Sequence, residues 1–182
     1  MTSGRSTVLL LGYGNPGRRD DGLGPALAAA LEDLHLPGVT IDSDYQLTVE
    51  DAATVAGHDV VVFADADVSG PEPFSFRRIA PGATLTFTSH SASPAGVLAL
   101  ADELFHTRPA AYVLGIRGYE FDEFGEALSE RARANLAAAV KFMVEVLRER
   151  GFDAATGRAS AAPATADPKS AAAAAPAKGA MR

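Results

Sequence analysis

The residues best suited to chemistry in this chain stand where apolar runs give way to polar ones. Asp20 and Asp21 come shortly after Val8-Leu9-Leu10-Leu11 and the glycine-rich Gly12-Tyr13-Gly14-Asn15-Pro16-Gly17. Asp65 and Asp67 follow Val60-Val61-Val62-Phe63, and Ser89-His90 follows Thr84 to Thr88. Two carboxylates and an imidazole, in a chain with no cysteine, make a ligand set suited to a divalent transition metal with open positions. Calcium would require more oxygens and structural zinc four protein ligands. The same groups also suit metal-free hydrolysis, with a carboxylate or His90 as general base for water. Residue types alone leave both open.

Each residue also has an ordinary explanation. Asp21 suits a helix N-terminus, where the dipole favours an acid. Asp65 suits a turn at a strand end, and His90 suits a loop where its ring bonds nearby backbone. What sets Asp21, Asp65 and His90 apart is that all three fall just after predicted strands. The other histidines, His35, His58 and His106, fall at the opposite ends of their elements.

The elements that must carry these residues follow from periodicity. Val8–Leu11, Val39–Asp42, His58–Ala64 and Ala111–Ile116 read as strands, the apolar ones of the kind buried on both faces of a parallel sheet. Phe74–Ile79 begins by alternating, as a strand nearer an edge does, and Thr84–Thr88 extends or pairs with it. Helices are expected from Pro25 to about Leu34, from a Thr48 cap to Gly57, and from a Ser93-Pro94 cap to about Phe105. A last long helix capped by Ser129 carries the stripe Ala132, Leu136, Val140, Met143 and Leu147 and stops at Gly151. Strands alternating with helices give an α/β fold, a three-layer sandwich with a mostly parallel twisted sheet and helices on both faces. In such a sheet the loops at the carboxyl ends of the strands share one crevice, which brings Asp21, Asp65 and His90 together.

Composition narrows the classes of function. The 182 residues are 47% hydrophobic and 21% charged, the balance of an ordinary globular protein, so one domain is expected over residues 1–153. Residues 154–182 are rich in Ala and Pro and read as a disordered tail without a catalytic role. The tail carries a net +3 of the overall −7, which leaves −10 on the body. An acidic body repels phosphate backbones, so no nucleic-acid partner is expected. With no signal core and no apolar run long enough for a membrane helix, a cytoplasmic protein without membrane contact is expected.

The glycine run also matches the G-x-G-x-x-G dinucleotide fingerprint through Gly12, Gly14 and Gly17, with Asp42 or Asp44 downstream for a ribose. The fingerprint requires a helix to begin within the glycines so that its N-terminus meets the pyrophosphate. Pro16, Gly17, Gly22, Gly24 and Pro25 delay the helix, and Asp20 and Asp21 would face the phosphates with like charge. This reading therefore ranks behind the others.

Taken together, Leu11-Gly12-Tyr13-Gly14-Asn15, Asp20-Asp21-Gly22-Leu23-Gly24-Pro25, Asp44-Tyr45-Gln46-Leu47, Phe63-Ala64-Asp65-Ala66 and Ser89-His90 resemble the hydrogenase maturation proteases. The likeness spans roughly residues 7 to 151 and includes Leu114-Gly115-Ile116 and the final helix. It implies an endopeptidase, aspartyl-type in its use of acids, that removes the C-terminal extension of a nickel-iron hydrogenase large-subunit precursor after nickel insertion. It also implies that Asp21, Asp65 and His90 bind the nickel, which arrives with the substrate rather than as a resident cofactor. Some members carry Glu where this chain has Asp21, and Asp20 stands beside it as a second candidate. Gln46 is a plausible substrate-contacting amide, and a monomer is expected. The alternative from another class is a non-catalytic nickel-binding or docking module using the same three residues.

Overall fold

In the computed structural model, residues 6–82 and 92–159 are described. They form β1 (Val8–Tyr13), a 3-10 turn (Arg19–Gly22), α1 (Leu23–Glu32), β2 (Val39–Asp44) and α2 (Asp51–Ala56). These are followed by β3 (Val60–Asp67), β4 (Phe74–Ile79), α3 (Pro94–Phe105), β5 (Ala110–Arg117), α4 (Glu130–Glu149) and α5 (Phe152–Ala159). The strands lie in the order β2-β1-β3-β5-β4, all parallel except β4, which pairs antiparallel with β5 at the edge. The α/β sandwich expected from the sequence is the fold observed.

Strand alternation sorts side chains into two cores. Val8 and Leu10 of β1, with Val62 and Ala64 of β3, pack under α1, α4 and α5. Leu9 and Leu11, with Val61 and Phe63, pack under α2 and α3. Burial of each Leu or Phe side chain contributes about 1.5–3 kcal/mol, so this double-faced burial is what makes β1 and β3 the centre of the sheet.

Caps predicted from sequence do their expected work. The Ser93 and Ser129 hydroxyls accept from the Gly96 and Ala132 amides at 3.1 and 3.2 Å, opening α3 and α4. Asp51 reaches back to the Thr48 amide at 2.7 Å, half of a capping box, although α2 itself begins at Asp51.

Four expectations are corrected. The chain turns helical at Arg19 and α1 starts at Leu23, so Pro25 lies inside the first turn rather than at its first position. β3 runs on to Asp67, which places Asp65 and Asp67 within the strand instead of beyond it. The buried stripe of α4 includes Asn135, Ala139 and Val146, with Leu136 and Val140 only partly covered. Residues 154–159 belong to α5, whose Phe152, Ala155 and Ala159 are buried, so the packed body continues past 153. Alanine suffices there because the helix lies close against β4. The expected strand Thr84–Thr88, Ser89-His90 and the remainder of the tail fall outside the described residues.

Two glycines let α1 sit directly on the sheet. A Cβ on Gly24 would press on the Tyr13 carbonyl and stand 2.5 Å from the Ala64 carbonyl oxygen; one on Gly12 would press on the Gly24 carbonyl. No flexible side chain is available to give way. Gly24→Ala should therefore cost roughly 3 kcal/mol or more in urea unfolding, whereas Gly157→Ala, with nothing near its Cβ, should cost far less.

Candidate active site at the parting of β1 and β3

The sheet order fixes where a crevice must open. The chain leaves β1 for β2 on one side and returns to β3 on the other, so β1 and β3 are the point where the winding reverses. Loops from their carboxyl ends diverge there, which is where α/β sheets place ligands. Pairing of β1 with β3 stops at Gly12 and Ala64, while β3 and β5 remain paired as far as Asp67 and Arg117. Asp65 stands immediately beyond the split.

The alternation that builds the α2/α3 core also aims the site. Leu9 and Leu11 continue to Tyr13, and Val61 and Phe63 continue to Asp65 and Asp67, so one face changes from apolar to polar at its carboxyl end. A cleft of about 320 Å³ opens on this face, bordered by Tyr13, Asp65, Asp67 and Arg77 and floored by Ile79 and Val113. Gly115, paired with both Asp65 and Ser75, leaves room for the Asp67 carboxylate 3.1 Å from where a Cβ would be.

The structure separates the two adjacent acids of the first loop. Asp20 is fully buried and accepts four hydrogen bonds: the Ser129 amide at 2.7 Å, the Ser129 hydroxyl and Tyr119 amide at 2.8 Å, and the Glu120 amide at 3.0 Å. Burial alone would raise its pKa, but these donors together hold the carboxyl below the ordinary carboxylate range. Its acceptor capacity is thus committed to the fold. Asp21 accepts only the long 3.2 Å bond from the Asn15 amide and is near enough to Asp65 for its charge to act there. Of the pair, Asp21 is the one whose charge bears on Asp65.

Asp65 is the perturbed group of the site. Burial pushes its pKa up to about 6, the Ala66 amide and Tyr13 hydroxyl partly oppose this by bonding the charged form, and the like charges of Asp21 and Asp67 add to the rise. Asp67 accepts from the Ser69 and Gly70 amides at 3.0 and 2.7 Å, which ties its own loop.

The structure thus brings Asp21 and Asp65 together, whereas His90 lies outside the described residues. Among the described residues no group of three or more His, Asp or Glu is spaced to hold a metal ion. The remaining histidines are at the far edge: His35 bonds the Asp33 carbonyl, His58 bonds the Thr54 carbonyl and Thr40 hydroxyl, and His106 caps α3. Gln46 is exposed in the loop after β2. Asp42 and Asp44 bond the next backbone amides on the edge strand β2.

Close packing of chain segments accounts for the glycine run. Gly14, at φ 137°, has the Asp21 carbonyl where a Cβ would be, and Gly12 has that of Gly24. These glycines serve close approach between chain segments. Tyr13 and Arg77 are the cleft residues that sequence reasoning missed; the available signal was a bulky aromatic set between two glycines at a strand end.

Known proteins share this fold. No protein-family model matches the chain, and no curated protein matches it in sequence. Solved structures do match. The NiFe hydrogenase maturation protease HycI of Thermococcus kodakarensis aligns with TM-score 0.63 and 23% identity over 80% of this chain and 95% of that one. The hydrogenase maturating endopeptidase HybD of Escherichia coli gives 0.64 and 23% over 80% and 94%. The fold is that of the hydrogenase maturation proteases. The hydrogenase 2 maturation peptidase of a Thaumarchaeota archaeon shares the maturation-protease fold with TM-score 0.57 and 24% identity over 78% and 98%.

The two acids predict opposite pH behaviour. Asp20 has a lowered folded-state pKa, so its stabilisation is present at neutral pH and lost as pH falls through that value. Asp20→Asn should cost about 3 kcal/mol at pH 7 by leaving buried donors mispaired, and less in acid, as read by denaturant titration. Asp65 is the reverse: its raised pKa favours the folded state most below about 3.8, and that advantage is lost as pH rises through about 6. Asp65→Asn should therefore stabilise the fold by on the order of 1–2 kcal/mol at pH 8, with the gain disappearing by pH 4.

Proposed function

We propose that this chain is an endopeptidase that removes the C-terminal extension of a nickel-iron hydrogenase large-subunit precursor after nickel insertion. The observation that carries this reading is that Asp21 lies near enough for its charge to act on a desolvated Asp65 that lines the cleft, at the winding reversal of a fold shared with maturation proteases. In this reading Asp21, Asp65 and His90 grip the nickel that the substrate carries, and the metal is the signal that loading is complete. The chain acts in the cytoplasm as a monomer, and among the described residues no helix is long and apolar enough to cross a membrane.

Gripping the substrate beside its scissile bond turns attack into a positioned, effectively unimolecular event. A water adds its oxygen to the scissile carbonyl carbon while a carboxylate takes its proton; the C–N bond then breaks and that proton passes to the leaving amine. The products are a new carboxylate on the large subunit and a free peptide. In this reading the chemistry is aspartyl-type, using acids rather than a thiol.

Mass spectrometry of the precursor tests the proposal. Nickel-loaded precursor should lose a C-terminal peptide on incubation with the chain, and nickel-free precursor should not. Asp65→Asn and His90→Ala should each slow the cleavage by about 100-fold or more. Stable complex formation with no change in mass would instead identify a docking module and end the protease reading.

A further inference from the structure

The two neighbouring arginines of β4 have unlike surroundings. Arg78 bonds Asp153 of α5 at 3.0 Å, on the face of the sheet that carries Phe74 and Phe76. Arg77 stands on the other face with Ile79, exposed, and lines the cleft across from Asp65 and Asp67. Among the described residues it is the one cation of the cleft, and no described carboxylate forms an ion pair with it. Residues 80–93, which join β4 to α3, contain no Asp or Glu.

The strand between the two walls is β5. Gly115 stands between Asp65 and Ser75 in the register, and Val113 stands between Phe63 and Arg77. Lacking a side chain, Gly115 leaves the floor open at the level of Asp65, with the Asp67 carboxylate and Ser75 hydroxyl each 3.1 Å from where a Cβ would be. A glycine inside a strand marks a place where another group can approach the backbone closely. Neighbouring strands lie about 4.8 Å apart, so β3 and β4 are separated by about 10 Å. A carboxylate from one wall and a guanidinium from the other can therefore meet one peptide group between them.

We propose that Arg77 is a catalytic residue: its guanidinium, on the cleft wall across from Asp65, donates to the scissile carbonyl oxygen and stabilises the negative charge that develops there. This rests on the reading above, in which the chain cleaves a peptide bond in this cleft. As the water oxygen bonds the carbonyl carbon, the electron pair of the C=O double bond moves onto the carbonyl oxygen. When the C–N bond breaks, that pair restores the double bond, and the amine leaves with the proton the carboxylate had taken. In between, the charge on the oxygen is repelled by Asp65 and Asp67 and attracted by Arg77. An arginine remains charged at any working pH, and donors set in place before charge develops are the most effective at stabilising it. Arg78, bound to Asp153, has no such freedom.

Steady-state cleavage of nickel-loaded precursor, followed by mass spectrometry beside thermal unfolding, tests the assignment. Arg77→Met should lower kcat about 100- to 1,000-fold with KM and melting temperature unchanged. Arg77→Lys keeps the charge without the planar fork and should lose less. Cleavage by Arg77→Ala should recover in millimolar guanidinium and not in sodium chloride of the same ionic strength. Arg78→Met removes an equal charge from the opposite face and should keep wild-type kcat. An equal loss in Arg78→Met would reveal a general charge effect and overturn the role of Arg77. A raised KM with wild-type kcat in Arg77→Met would overturn it too, leaving a binding contact only. Wild-type kcat and KM in Arg77→Met would overturn the role while the protease reading stands. A wild-type chain that leaves the precursor uncut would end that reading, and the role of Arg77 with it.

Discussion

A fully buried carboxylate is among the costlier things a fold can contain, and Asp20 is tolerated because four donors converge on it. Those donors come from Tyr119, Glu120 and Ser129, far along the chain on the segment between β5 and α4. The bonds therefore join the first loop to the last one at the carboxyl edge of the sheet. Outside this junction, Arg19 adds ion pairs to Glu120 and Glu123, and its amide bonds the Gly125 carbonyl at 2.7 Å. Because Asp21 is the next residue, its position is set by a network in which it takes no part. One acid is committed to the fold, and its neighbour is held where its charge bears on Asp65.

A second constraint acts from below. Gly12 and Gly24 bring α1 within backbone contact of β1 and β3, and the helix start follows directly on the 3-10 turn that holds Asp20 and Asp21. The first loop is thus pinned at both ends, by glycine packing against the sheet and by the Asp20 network across its top. Asp65 needs no loop at all. It projects from β3 directly after the buried run Val61–Ala64, where the strand is still paired with β5. A site built on a strand and a doubly anchored turn suits a reaction in which positioning carries much of the rate.

Much of this was legible from the amino-acid sequence. The runs Val8–Leu11 and Val60–Phe63 identified the central strands because burial on both faces demands continuous apolar residues. Ser93 and Ser129 marked their helices because a hydroxyl before a helix satisfies free amides. Asp21 and Asp65 were singled out because acids at strand ends need a reason. What stayed hidden depends on tertiary partners. Nothing local distinguishes Asp20 from Asp21, since the donors that claim Asp20 lie about 100 residues away. The extension of β3 through Asp65 and Asp67 is sustained by pairing with β5 rather than by strand propensity. Likewise α5, poor in large apolar residues, is recognisable only once Phe152 stacks on Tyr112 and Asp153 bonds both Tyr112 and Arg78.

The four tyrosines of this chain, which contains no tryptophan, occupy four unlike settings. Tyr112 is buried in an aromatic stack with Phe76 and Phe152, and Tyr119 lies beneath the guanidinium groups of Arg117 and Arg131. Tyr45 is exposed to solvent, and Tyr13 alone lines the cleft beside Asp65. Near-ultraviolet absorption and emission above the phenylalanine range therefore arise from tyrosine only. The protein carries its own optical label at the cleft, and the other three phenols supply internal references for core, surface and loop.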